Sequence, residues 1–204
     1  LEKMLKLDYE VSVVLARDVN GNVATFPTSE NSHLNGILDV SIVPARGSDA
    51  INHQAQKLAI LVAEKLDYIG VIGVEFFVCN NELLVNEMAP RPHNSGHYTI
   101  DACITNQFEQ QVRVMTGLPL GSSRQHSPAV MVNILGDIWP DDANKTSEPA
   151  WQNALNNPQL KMHLYGKQQA RSGRKMGHFT IINASRDEAI KQAMQVRTEL
   201  NIDN

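Results

Sequence analysis

GVEFFVCNNELLVNEMAPRPHNSGH, residues 73–97, decides how the rest of the chain is read. Two apolar runs, residues 74–79 and 83–88, flank Asn80 and Asn81. Asparagine tolerates the left-handed backbone of a tight turn, so the stretch reads as a β-hairpin. Side chains alternate across a strand with period two, and loop length therefore decides which residues share a face. A two-residue loop would pair Glu75 with Asn86 and turn Glu87 away. A three-residue loop, residues 80–82 closing on a bulge, pairs Cys79 with Leu83 and sets Glu75 directly opposite Glu87. The second register is the one expected.

Two carboxylates facing each other across a ladder repel unless they share a proton, a cation or deep solvation. Magnesium takes one or two carboxylates together with phosphate oxygens and water. Glu75 and Glu87 are thus candidate metal ligands; the plainer alternative is two exposed sheet glutamates, or one paired with an arginine. Just beyond the second strand, Arg91, His93, Asn94, Ser95 and His97 crowd together, stiffened by Pro90 and Pro92. Loops held by a rigid scaffold are where chemistry concentrates. The alternative here is a polar connector that caps the next helix.

At 204 residues and 42% apolar content the chain can bury a core as one large domain or two small ones. A net charge of −4 gives no general pull toward nucleic acid or an anionic membrane, so any anion site must be local. Cys79 and Cys103 show neither zinc spacing nor a disulfide framework, which suits a reducing cytoplasm. No stretch reaches the ~18 apolar residues of a membrane span, and nothing at the start reads as a signal peptide.

Residues 9–17 read as a strand, Asn20-Gly21 as a hairpin turn, and residues 23–26 and 37–43 as further strands of an antiparallel sheet that can accept the central hairpin. PTSENSHLNG, residues 27–36, reads as a polar loop carrying His33. Asp49 is expected to cap a helix to about residue 67, with Ile51, Ala55, Leu58, Ala59, Val62 and Leu66 as its core stripe. A second helix is expected over residues 98–116, with Ile100, Ile104, Phe108, Val112 and Met115 on its apolar face and Gly117 and Pro119 as stop signals. Its start would place His97 and Tyr98 where backbone N–H groups favour an anion.

Composition shifts across residues 118–128, so one domain is expected over residues 1–120 and a second over 126–204. The second reads as short strands at 129–135 and 161–165, a short helix near Trp151, a strand ending over 179–183, and a helix opened by the capping box Ser185-Arg186-Asp187-Glu188. Between its strands lies KQQARSGRKMGH, residues 167–178, with four cations, two glycines and a histidine. Such a run can cradle a phosphate through Lys, Arg and exposed backbone donors, or it is a solvated basic turn.

With these motifs in view, the chain resembles the ATP-grasp ligases. VNEMAPRPHNSGH, residues 85–97, with Glu75 twelve positions before Glu87, looks like their metal and substrate hairpin. More closely, the chain resembles the N5-carboxyaminoimidazole ribonucleotide synthetases of purine synthesis. Glu30-Asn31-Ser32-His33 looks like their Glu-Asn-x-His segment, and Gly173-Arg174-Lys175-Met176-Gly177-His178 looks like their carboxy-terminal signature. Many ATP-grasp relatives carry Glu-x-Asn after the hairpin with both residues on magnesium. Here the run is Glu87-Met88-Ala89, so that asparagine ligand is missing and Asn86 precedes the glutamate instead.

The resemblance implies an α+β fold: the C-terminal subdomain of an ATP-grasp domain, an antiparallel sheet with flanking helices, followed by a small α+β or barrel-like domain. It implies ATP and magnesium as cofactors. Glu2, Lys3, Met4 and Leu5 would form the hinge on the adenine edge, Glu10 would hold the ribose, and His33 would reach the nucleotide. Asn86 and Glu87 would stand at the phosphate end, with Glu75 and Glu87 ligating the metal. Arg91, His93 and Asn94 would be catalytic, holding bicarbonate and the transferring phosphoryl group. Lys167, Arg174 and Lys175 would bind the 5′-phosphate of 5-aminoimidazole ribonucleotide.

The implied reaction joins ATP, bicarbonate and that ribonucleotide into the N5-carboxylated nucleotide, ADP and phosphate. It belongs to a cytoplasmic ligase, a homodimer when complete, with no nucleic-acid or membrane partner. A chain that opens at Leu1 beside a strand is expected to be the C-terminal part of such an enzyme, with little activity alone. Two rivals stay open. One is a formate-using glycinamide ribonucleotide transformylase, whose similar basic run lacks a histidine like His178; the other is a non-catalytic nucleotide or metal binder.

Overall fold

A computed structural model describes residues 4–140 and 147–202. Its strands and helices run β1 Tyr9–Arg17, β2 Val23–Thr25, β3 Ser29–Leu34, β4 Ile37–Val43, α1 Asp49–Lys65, β5 Gly70–Cys79, β6 Glu82–Ala89, α2 Thr99–Ala102 and α3 Gln107–Met115. They continue with β7 Ala129–Leu135, α4 Trp151–Leu155, β8 Leu160–Leu164, β9 Lys175–Ile182 and α5 Arg186–Glu199. One antiparallel sheet takes the order β6-β5-β1-β3-β4-β7-β9-β8, with β2 paired to β1 beside it. The α+β architecture of an antiparallel sheet flanked by helices is therefore present. Among the described residues no helix is long and apolar enough to cross a membrane.

Alternation along β1 and β5 divides their side chains between two jobs. Val11, Val13 and Leu15 of β1, with Ile72, Val74, Phe76 and Val78 of β5, face α1, which meets them with Ile51, Ala55, Ala59 and Ala63. Each large side chain buried this way contributes about 1.5–3 kcal/mol relative to exposure. On the opposite face Val14, Ala16 and Val71 pack under Tyr98, Ala102 and Val114. Glu10, Ser12 and Glu75 share that second face by register, since Glu10 pairs with Phe77 and Ser12 with Glu75. A third core lies beneath α5, where Ala189, Ala193, Val196 and Leu200 cover Val130, Val132, Ile134, Phe179 and Ile181. The β4–β7 pairing, Val40 with Val132 through Val43 with Ala129, carries the sheet across the composition shift at residues 118–128.

Four local expectations are corrected. The turn between β5 and β6 holds two residues, not three: Asn80 and Asn81 are both left-handed, at φ 50° and 66°, and Cys79 pairs with Glu82. Two positive-φ residues give the twist that flanking strands demand. The extra residue sits instead at Asn86, where a bulge between the Phe76–Val85 and Glu75–Glu87 pairs restores the opposition of the two glutamates.

Residues 27–36 are not a loop but contribute β3, because its inward polar groups find partners; Asn31 donates to Ser12 Oγ and accepts from Ser41 Oγ, each at 2.8 Å. The expected helix over 98–116 is broken into α2 and α3, and Asn106 caps the second by accepting from the N–H groups of Phe108 and Glu109. The break turns Gln107, Gln110 and Val114 inward and leaves Ile104, Phe108, Val112 and Met115 exposed. Finally Ser48, not Asp49, caps α1.

Candidate active site

The second face of the sheet opens into one cleft, and most of the site residues expected from the sequence line it: Glu10, His33, Glu75, Asn86, Glu87, Arg91, His93, Asn94 and Lys175. β1 supplies Glu10, β3 supplies His33, the hairpin supplies the acid pair, and β9 reaches in from the far side of the sheet with Lys175. Glu75 is the most constrained of them. Its Oε1 lies 3.4 Å from His93 Nε2, and its Oε2 receives the Asn86 amide at 3.4 Å. Burial raises its pKa; Glu87 and Glu10 add to the rise, while His33 and Asn86 oppose it. Beside Glu10, the His33 Nδ1 sits 3.0 Å from Oε2.

Cations balance this acidic floor. Burial lowers the Lys175 pKa, Arg91 and Lys167 push it the same way, and Glu75 pulls it back. Arg91 and Lys175, lining the cleft with the carboxylate pair, form a setting suited to an anion beside a metal. Asn94 carries the clearest mark of an absent partner: both its amide oxygen and its amide nitrogen are buried with no hydrogen bond. Buried polar groups are nearly always satisfied, which makes this amide a candidate ligand contact.

The loop bearing these groups is clamped by a residue that sequence patterning passed over. Gln107, fully buried at the start of α3, accepts from the His93 N–H at 2.8 Å and donates to the His93 carbonyl at 2.8 Å and to His97 Nδ1 at 3.1 Å. His93 then lies against bare backbone, since a Cβ on Gly73 would come within 2.7 Å of the His93 Cβ. Burial, helped by Arg91 and Lys175, lowers the His93 pKa to about 4.

Not every expected residue joins the cleft. Glu2 and Lys3 lie outside the described residues. Met4 is 97% exposed, Leu5 is half-buried, and neither lines the cleft, whereas Leu7 does. Lys167 donates to the Lys175 carbonyl at 2.5 Å, and Arg174 Nη1 donates to the Gln169 carbonyl at 2.7 Å, so both brace the basic loop from within. Ser172 Oγ and the Gly173 N–H donate to Asp137 at 2.6 and 2.8 Å, which ties the turn down and lowers the Asp137 pKa.

A histidine stack, also unforeseen, joins the two parts of the chain. The His178 ring lies 4.6 Å from His163 at 16° and 4.9 Å from His97, and its Nδ1 meets the Tyr165 hydroxyl at 2.9 Å. His163 Nε2 reaches Asp101 Oδ2 at 2.8 Å. Ligand atoms of Asp101, His163 and His178 all fall within 4.8 Å of one another. The near-parallel rings nevertheless direct their in-plane lone pairs along separate planes, so as arranged they do not converge on one ion.

Known proteins resemble the chain in sequence and in fold. An ATP-grasp domain model matches residues 1–108, and a model of the phosphoribosylaminoimidazole carboxylase C-terminal domain matches residues 129–192. The chain belongs to the ATP-grasp family. Within it, the chain is 45% identical over 196 residues to the N5-carboxyaminoimidazole ribonucleotide synthase of Bacillus subtilis, covering 94% of this chain and 49% of the relative. Identity to the Brucella melitensis synthase is 49% over 187 residues, covering 89% and 48%. A crystal structure of the Aspergillus clavatus synthase, in complex with ADP and 5-aminoimidazole ribonucleotide, superposes with a TM-score of 0.89 at 34% identity, covering 99% of this chain and 54% of that one. The chain spans about half the length of the curated relatives it matches.

Proposed function

We propose that this chain carries the metal, phosphoryl and ribonucleotide-phosphate groups of an ATP-dependent carbon–nitrogen ligase that carboxylates 5-aminoimidazole ribonucleotide with bicarbonate. The observation that carries the reading is the opposition of Glu75 and Glu87 in the same cleft as Arg91, His93, Asn94 and Lys175. A desolvated carboxylate beside two others fits a hard divalent cation, and Glu75 with Glu87 would hold magnesium. Bound there, magnesium supplies charge neutralisation on the phosphates being transferred.

The chain's own side chains do the rest. Arg91 offsets the charge of bicarbonate and the phosphoryl group and holds them in line, which is most of what phosphoryl transfer requires of a protein. Asn94 offers one donor and one acceptor, a match for the hydroxyl and carboxylate oxygens of bicarbonate. Glu10 and His33 stand where a nucleotide ribose and phosphates would lie, with Glu2 to Leu5 as the adenine hinge. Lys175, backed by Lys167 and Arg174, binds the 5′-phosphate of the aminoimidazole ribonucleotide. The Aspergillus clavatus synthase holding ADP and that ribonucleotide supports this assignment. The reading includes a cytoplasmic homodimer, with the exposed apolar side chains of α3 as support for association.

The test is carboxylation by the protein expressed from its complete reading frame. ADP release should require magnesium, bicarbonate and 5-aminoimidazole ribonucleotide together. Release driven instead by formate and glycinamide ribonucleotide would assign the transformylase reaction, and binding of nucleotide without turnover would leave a binding module.

A further inference from the structure

Behind His93 runs a row of buried polar side chains that no step of the proposed chemistry uses. Ser41 Oγ donates to Asn31 Oδ1 at 2.8 Å, Asn31 Nδ2 donates to Ser12 Oγ at 2.8 Å, and Ser12 Oγ donates to Ser95 Oγ at 2.7 Å. Ser95 Oγ then meets His93 Nδ1 at 2.9 Å. All four are buried, and they come from β4, β3, β1 and the turn after β6. Ser29 Oγ joins the row at Ser12 Oγ, 2.8 Å away, and has Ser12 Oγ or the Ser12 carbonyl for its own hydrogen, so the Ser12 hydrogen stays on Ser95.

The protons can be followed along it. The Ser95 backbone N–H also points at His93 Nδ1, at 3.4 Å, and a peptide N–H can only donate. That contact favours a lone pair on Nδ1. The Ser95 hydroxyl, which accepts from Ser12, has its own hydrogen free for that same lone pair. In neutral imidazole one nitrogen carries the proton. Here it is Nε2, the atom 3.4 Å from Glu75 Oε1.

We infer that Ser95, with Ser12, Asn31 and Ser41 behind it, is a positioning residue that locks His93 as the Nε2–H tautomer, with that N–H on the Glu75 side of the ring. A ring so held has no lone pair to offer a metal or a substrate proton. His93 instead steadies the carboxylate that would ligate magnesium, as outer partners of metal sites do, and turns the free Glu75 oxygen toward Asn86. The catalytic meaning rests on the ligase reading above; the tautomer does not.

Two experiments test it. Long-range 1H–15N spectra of this chain, labelled in histidine and without ligand, should show Nδ1 unprotonated and Nε2 protonated at neutral pH for His93, and Ser95→Ala, which removes the 2.9 Å hydroxyl contact and keeps only the longer N–H contact, should raise the Nδ1-protonated fraction. A protonated Nδ1 in the parent chain, or an unchanged signature in a folded Ser95→Ala, overturns the inference whatever the reaction is. In the protein from the complete reading frame, His93→Gln keeps a donor near the Nε2 position and should retain about 10- to 100-fold more kcat than His93→Ala. Equal loss in the two variants would mean that His93 acts through a lone pair, which also overturns it.

Discussion

Glu75 and Glu87 oppose each other across the hairpin with one residue more between them than a regular two-residue turn allows. The bulge at Asn86 absorbs it. Its effect is to add rather than merely to shift: both Glu87 and the Asn86 amide reach the cleft, the latter at 3.4 Å from Glu75. Bulges beside active sites serve to re-aim side chains in this way.

Glu87→Gln should separate folding from metal binding. β6 is exposed along most of its length, so stability should change by no more than about 0.5 kcal/mol. Magnesium-dependent nucleotide affinity, read by calorimetry, should fall by at least about 10- to 100-fold. Unaltered affinity would remove Glu87 from the metal site.

Asn94→Leu should trade function for stability. The parent amide is buried with neither end satisfied, and replacing an unpaired polar group by an apolar one of similar size recovers about 1–3 kcal/mol. Denaturation of the unliganded variant should therefore come at higher denaturant while carboxylation is lost. A destabilised variant would show that the amide has a partner in solution.

Acid should unfold the protein through its buried imidazoles. Burial and neighbouring histidines hold His178 at about 3, burial with Lys175 and neighbouring histidines holds His97 at about 4, and burial with Arg91 and Lys175 holds His93 at about 4. The unfolded chain titrates near the ordinary value of 6.5 and binds more protons below it, so stability is full above 6.5 and is lost as pH falls toward 4 and 3. Each such proton contributes a slope of up to about 1.4 kcal/mol per pH unit. Urea titrations across this range should show the decline, and His178→Gln should flatten it; an equal slope in the variant would place the acid sensitivity elsewhere.

Lys175→Met should raise the Michaelis constant for the aminoimidazole ribonucleotide far more than that for ATP, and Arg174→Ala should do the same to a smaller degree. Lys175 enters the cleft directly, whereas Arg174 is bound to the Gln169 carbonyl. Truncating one buried partner of a charged contact costs about 2–5 kcal/mol. Equal damage to both constants in a folded Lys175→Met would put that lysine on the ATP side of the cleft and overturn the assignment, and no damage would leave the loop as solvated surface.

Much of this was legible because it is local. β1 and β5 announce themselves by apolar runs, and the acid pair and the donors after β6 lie within 25 residues of sequence, whereas the first half of β9, Lys175 to His178, reads as part of the basic turn. β3 was hidden because its inward positions are Ser29 and Asn31, whose partners Ser12 and Ser41 appear only once the strands are side by side. The face of α3 was misread for a related reason. Gln107 and Gln110 turn inward because their amides bond backbone groups of His93 and Gly121, so the visible apolar period marks the exposed side. The opposition of the two glutamates was expected from the wrong turn: nothing in ELLVNEMA distinguishes an extra residue in the loop from one at Asn86.

The β4–β7 ladder has a consequence for how the chain behaves when cut. It is only four pairs long, yet it is where the portion matched by one family model adds its strands to the portion matched by the other. A protease nick in the stretch between α3 and β7 would not free two self-sufficient bodies. Each piece would bear a raw edge, β4 on one and β7 on the other, shaped to fit its former neighbour, and unpaired edges seek partners. The pieces should stay together through a nick and, once parted, find each other again: a split protein whose complementation surface is the β4–β7 backbone row, the apolar side chains packed on both of its faces, and the Asp39–Arg197 and Asp101–His163 pairs.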